Sequence, residues 1–125
     1  MSARILIVDD NPLNAKLAAC ILEQAGLLVQ TAADATQTLT LLERYRPDLI
    51  LMDLGLPGMD GLTLTRHIKA DSRFSDLRIV AFSAFAMESD AAESLVCGCI
   101  GYITKPIETR AFAGQVRQFL QPTPA

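Results

Sequence analysis

Five short apolar runs punctuate the chain: Ile5-Leu6-Ile7-Val8, Leu27-Leu28-Val29, Leu49-Ile50-Leu51-Met52, Ile79-Val80-Ala81-Phe82 and Ile100-Gly101-Tyr102-Ile103. Most are continuous rather than alternating, the pattern of strands covered on both faces. Amphipathic stretches of helix length separate them. Asn11-Pro12 predicts a helix cap followed by proline at the first helical position, and Gly26 closes that helix. Asp34 is the expected cap of a second helix and Asp60 of a third; Cys97-Gly98 ends a fourth, and a fifth runs from about Glu108 to Leu120. A strand-helix order repeated five times predicts an α/β fold, a five-stranded parallel sheet with helices on both faces. One domain is expected over residues 1–121, with 122–125 as a frayed tail or the start of a linker.

Composition narrows the classes. Half of the 125 residues are apolar, enough for one well-buried core. No apolar run approaches the roughly 18 residues of a membrane helix, and the first residues lack the basic stretch and apolar block of a secretory signal. A cytosolic protein without membrane attachment is therefore expected. The net charge is −3, well mixed along the chain, with no basic stripe for nucleic acid. Cys20, Cys97 and Cys99 are an odd number without metal-ligand spacing and read as reduced thiols. His67, alone in Arg66-His67-Ile68-Lys69, reads as a residue of a solvated helix face.

The chemistry gathers where strands stop, which is where an open parallel sheet binds its ligands. The first run ends in Asp9-Asp10, the third in Asp53, the fourth in Ser83, and the fifth is followed by Lys105-Pro106. Each alone has a plain structural explanation: a loop start, a turn residue, a surface lysine. All of them at successive strand ends is harder to attribute to chance. With the first and third strands as neighbours, three carboxylates face one another and call for a counter-ion. Hard oxygen ligands suit Mg²⁺, which keeps waters and prefers a partner phosphate. Metal and lysine flanking a carboxylate make a place for a transferring phosphoryl group, and a serine hydroxyl can hydrogen-bond one of its oxygens.

These residues lie in stretches that resemble the response-regulator receiver domain. Ile5-Leu6-Ile7-Val8-Asp9-Asp10-Asn11 resembles its acidic-pair motif. Asp48 to Gly61 resembles the phosphoacceptor motif, with its proline, methionine and glycine. Ser83-Ala84 matches the switch hydroxyl and small residue, Tyr102 the switch aromatic, and Lys105-Pro106 the lysine-proline pair. Asn11-Pro12-Leu13-Asn14 and Ala84-Phe85-Ala86-Met87 are closest in look to single-domain cell-cycle regulators and hybrid-kinase receivers. The resemblance implies a flavodoxin-like sheet of order 2-1-3-4-5. It implies that Asp10 and Asp53 bind Mg²⁺ with the backbone carbonyl of Gly55, Asp9 helping through water. Asp53 takes a phosphoryl group from a histidine kinase or histidine phosphotransfer protein. Lys105 pairs with that group, Ser83 moves toward it, Tyr102 turns inward, and the Lys105-Pro106 bond is expected to be cis. The protein is then a phosphoacceptor switch rather than a turnover enzyme, though one able to assist its own phosphorylation and dephosphorylation.

Two rivals share the architecture. A phosphohydrolase with an aspartate nucleophile usually carries a second aspartate two positions on, where this chain has Gly55. A flavodoxin-like cofactor binder needs a loop rich in Gly, Ser and Thr where this chain has Asp9-Asp10. A degenerate receiver that only binds partners would lack the intact set.

Three surfaces are expected to serve the switch. Asn11, Asn14, Ala15 and Ala18 share a face of the first helix, read as exposed and suited to a phosphodonor, with Pro106 and Ile107 flanking it. Glu88, Asp90 and Glu93 of the fourth helix oppose Arg110 and Arg117 of the fifth, a surface for a downstream protein or a homodimer on phosphorylation. Gly55 and Phe85 offer no group to orient an attacking water, which predicts a long-lived phosphorylated state.

Overall fold

The computed structural model describes residues 3–54, 56, 58–59, 61–83, 98–104 and 108–120. Five strands, β1 (Arg4–Val8), β2 (Leu28–Ala32), β3 (Leu49–Asp53), β4 (Arg78–Ser83) and β5 (Gly101–Thr104), form one sheet. Every neighbouring pair is parallel and the order is β2-β1-β3-β4-β5. The described helices are α1 (Pro12–Gln24), α2 (Ala35–Leu42), α3 (Gly61–Ala70) and α4 (Phe112–Leu120). The helix expected before Cys97-Gly98 lies outside the described residues, and α4 answers to the helix expected from about Glu108 to Leu120.

The continuous apolar runs have the reason anticipated for them. Ile5 to Val8 and Leu49 to Met52 are fully buried because β1 and β3 are central strands covered on both sides. Alternation divides their side chains between two cores. Leu6, Val8, Ile50 and Met52 pack with Leu42 of α2 and with Leu64 and Ile68 of α3. Ile5, Ile7, Leu49 and Leu51 pack with Ala15, Ala18 and Leu22 of α1 and with Phe112 and Val116 of α4. At the edge of the sheet β2 departs from this: only Ala32 is fully buried, and Leu28 is 54% exposed. An edge strand has neighbours on one side only, so its apolar run is not wholly covered.

The caps fall where their residues predict. Asn11 accepts hydrogen bonds from the N–H groups of Leu13 and Asn14, with Pro12 at the first helical position. Gly26 adopts φ +91, and Leu27 N–H donates to Leu22 O while Gly26 N–H donates to Glu23 O, a Schellman closure of α1. Asp34 caps α2 by accepting from Gln37 N–H, and Gln37 returns the contact by accepting from Ala33 N–H. Asp60, the expected cap of α3, lies outside the described residues. Regular helix α4 begins at Phe112, later than expected, because Glu108 O first closes a turn, accepting from both Ala111 and Phe112 N–H. Among the described residues, no helix is long and apolar enough to cross a membrane.

Candidate functional site

Strand pairing puts the acidic residues together. Val8 lies opposite Met52, so Asp9, just past β1, and Asp53, the last residue of β3, emerge side by side. Asp9 is 3% exposed and Asp53 7%, while Asp10 is open to solvent. One carboxylate oxygen from each lies within 4.8 Å of the others. Repulsion between unit charges a few ångströms apart exceeds thermal energy near a protein surface, so the cluster favours a cation. The donor set is oxygen only, and its exposed member leaves one side accessible to water or a phosphate. Both features fit Mg²⁺.

The surrounding backbone holds these groups in place. Asp9 N–H donates to Ala32 O at 3.0 Å, tying the end of β1 to β2. Asn11 N–H donates to Asp9 Oδ1 at 2.9 Å. On the other side, α3 begins directly against the backbone of Asp53. A Cβ at position 61 would lie 2.2 Å from Asp53 O and 2.8 Å from Leu54 Cα, so only glycine permits this approach. Gly61 figured in the sequence as one letter of a motif; its steric role shows only in three dimensions. A groove of about 520 Å³ runs from Asp9 and Asp10 between α1 and the start of α2, past Lys16, Ala19, Ala33 and Gln37.

The remaining residues named from sequence fall into two groups. Asp53 lies opposite Phe82 in β4, so the backbone of Ser83, one residue on, reaches the same sheet edge, opposite Thr104. Tyr102 pairs with Ala81 and is half-buried, packed on the core beneath α2 and α3. Gly55, Phe85, Glu88, Asp90, Glu93, Cys97, Lys105, Pro106 and Ile107 lie outside the described residues. His67 is exposed on α3, Cys20 is an exposed free thiol and Cys99 a buried one.

One expectation about surfaces needs correction. Ala15 is 7% exposed and Ala18 fully buried, so they belong to the core and not to a docking face. With Leu22 they form the stripe that seats α1 on the sheet, where small side chains let helix and strands approach. The helix instead shows Leu13, 77% exposed, and Leu17, 44% exposed, beside Asn11. Arg117 donates to Ala25 O, the cap residue closing α1, so its guanidinium serves the α1–α4 contact. Arg110 is exposed, as expected.

Comparison with known proteins agrees with this geometry. Residues 5–117 match the response regulator receiver domain family. The polar-differentiation response regulator DivK of Brucella anthropi is 36% identical over 120 residues, covering 96% of this chain and 98% of that protein. Among solved structures, a response regulator receiver domain protein from Methanospirillum hungatei is 31% identical with a TM-score of 0.85, covering 96% of this chain and 94% of that one. A response regulator from Chloroflexus aurantiacus superposes with a TM-score of 0.90 at 28% identity, covering 96% of this chain and 98% of that one.

Proposed function

The chain belongs to the response-regulator receiver family of two-component signalling, whose general function is phosphoryl transfer to an aspartate, and we propose that its own acceptor is Asp53. The observation that carries this is the convergence of the Asp9, Asp10 and Asp53 carboxylates at the carboxyl ends of β1 and β3. Asp53 is the member placed at the end of the central strand, buried and backed by the tight junction with Gly61. An Asp53 carboxylate oxygen attacks the phosphorus of a phosphohistidine; the P–O bond forms as the P–N bond breaks, and the imidazole leaves. Asp10 and Asp53 are the residues to hold Mg²⁺, with the Gly55 carbonyl, and Asp9 acts through water. When bound, the ion supplies the positive charge that offsets the acceptor and the incoming phosphoryl group.

In this reading Lys105 pairs with the phosphoryl group, Ser83 hydrogen-bonds it and Tyr102 reports the change from its half-buried position. The receiver comprises residues 1–121, works in the cytosol and accepts phosphate from a histidine kinase or histidine phosphotransfer protein. Its output is a protein partner or a homodimer. It is a phosphoacceptor and not a turnover enzyme.

Incubation with Mg²⁺ and a small acyl phosphate, followed by intact-protein mass spectrometry, tests the assignment. The wild-type chain takes up one phosphoryl group and Asp53→Asn takes up none. Labelling of Asp53→Asn at the wild-type level overturns it.

A further inference from the structure

The acidic cluster is linked to the start of α1 through Asn11. Asn11 sits in extended conformation with φ −90 and ψ 109, and its backbone N–H, its carbonyl and its side-chain oxygen are all engaged. Its side-chain oxygen accepts from Leu13 N–H at 3.0 Å and from Asn14 N–H at 3.3 Å. Its carbonyl accepts from Ala15 N–H at 3.0 Å, and Ala15 is buried in the core. Its own N–H donates to Asp9 Oδ1 at 2.9 Å. A continuous path therefore runs from the core-seated helix, through its cap, to one oxygen of a buried carboxylate in the cluster.

This arrangement restricts two things at once. Capping fixes the backbone of Asn11, because an extended residue joined to a helix has few alternatives once its side chain closes the first turn. A fixed Asn11 N–H then adds a restraint on one oxygen of the Asp9 carboxylate, beside Asp10 and Asp53. A cation and its bound waters are held more tightly by carboxylates already in position than by ones they must gather.

We infer that Asn11 is a positioning residue of the acidic site: by capping α1 it holds its N–H on Asp9 Oδ1 and presets that carboxylate for a divalent cation. The inference rests on reading the cluster as a Mg²⁺ site. It goes beyond that reading by assigning part of the cation affinity to a residue that touches no cation.

The test is titration of the whole chain with MgCl₂, followed by amide chemical shifts, without any phosphodonor. Asn11→Ala weakens Mg²⁺ binding by about tenfold, the scale on which groups orienting metal ligands act. Asn11→Gly, which helices tolerate at a cap but which has no side-chain oxygen, shows the same loss. Asn11→Ser restores a capping oxygen and stays within about twofold of wild type. Asp34→Ala removes the equivalent cap of α2, far from Asp9, and leaves Mg²⁺ affinity unchanged. Faster hydrogen exchange at the amide of residue 11 accompanies the loss in the Ala and Gly variants. Wild-type affinity in Asn11→Ala and Asn11→Gly overturns the inference, and so does an equal loss in Asp34→Ala, which would trace the effect to general stability. Absence of Mg²⁺ binding by the wild-type chain overturns the metal-site reading itself and is distinguishable from both.

Discussion

At the amino end of the sheet, charges of opposite sign are matched. Arg73 reaches both Glu43 and Asp71, and its guanidinium lies 4.9 Å from the ring centroid of Phe74. Arg46 pairs with Asp76 and donates to Arg73 O, joining the loop after α2 to the loop before β4. Asp48 accepts from Arg4 N–H. At the carboxyl end of the same sheet the described acidic residues are arranged the other way. There Asp9, Asp10 and Asp53, all of one sign, come within 4.8 Å. The two ends share strands, core and backbone geometry, so the difference lies in what their charges are for. Matched exposed pairs lock loops together at little energetic consequence. Concentrated like charge works against the fold, and in the function proposed above it is kept for a cation and a phosphoryl group.

The largest way to break this contrast is to disturb the junction on which the acidic end depends. Gly61→Ala drives a Cβ into the Asp53 carbonyl and should cost about 1–3 kcal/mol of stability, the usual range for overpacking. Urea unfolding measures the loss. Phosphoryl uptake should fall with it, whereas Gly114→Ala, at a position with open space, should leave uptake intact.

Relief of like charge should act in the opposite direction. Asp10→Asn is expected to stabilise the metal-free protein by about 0.5–2 kcal/mol, as substitutions at sites strained for function commonly do. Added Mg²⁺ should close the gap, because it stabilises the wild-type chain by mass action and the variant less. A metal-free unfolding midpoint no higher than wild type would show that the cluster is not a stability cost.

A smaller gain is expected beneath the amino end. The Tyr45 hydroxyl is buried with no hydrogen-bond partner among the described residues, and burial raises its pKa above the usual tyrosine value. Tyr45→Phe should be between neutral and about 1 kcal/mol stabilising, since an unsatisfied hydroxyl is removed. The sign with pH follows from the raised value: the native protein favours the neutral phenol, a contribution fully present below the unfolded pKa near 10 and lost as pH rises through the folded one. Wild type should therefore lose stability at alkaline pH faster than Tyr45→Phe.

The smallest effect should come from Arg73→Ala, because Arg73 and Glu43 are exposed and Asp71 is only half-buried. Arg73 holds the Glu43 and Asp71 carboxyls below their usual range. Their contribution is present above the unfolded carboxylate pKa and lost as pH falls through the folded values. The difference between wild type and Arg73→Ala should thus be visible near neutral pH, shrink in high salt and vanish in acid. A difference that persists in acid would assign Arg73's role to its packing on Phe74.

Much of this was legible along the chain. Continuous apolar runs specified central strands covered on both faces, because a strand without polar alternation has no side to show to water. Asn11, Gly26 and Asp34 marked helix ends, because those conformations and unpaired N–H groups suit few residues. Acidic residues at the ends of the first and third runs located the site, since any parallel sheet brings those ends to one edge. The tertiary structure alone decided which small residues are buried. Alanine is tolerated in water and in a core, so Ala15 and Ala18 looked like surface until the helix was seated on the sheet. It decided that Leu28 is exposed, because edge or centre follows from strand order and not from local pattern. It also decided the partners of Arg73 and Arg117 and the closeness of Gly61 to Asp53. Those contacts join residues distant along the chain, and no local periodicity encodes a meeting between them.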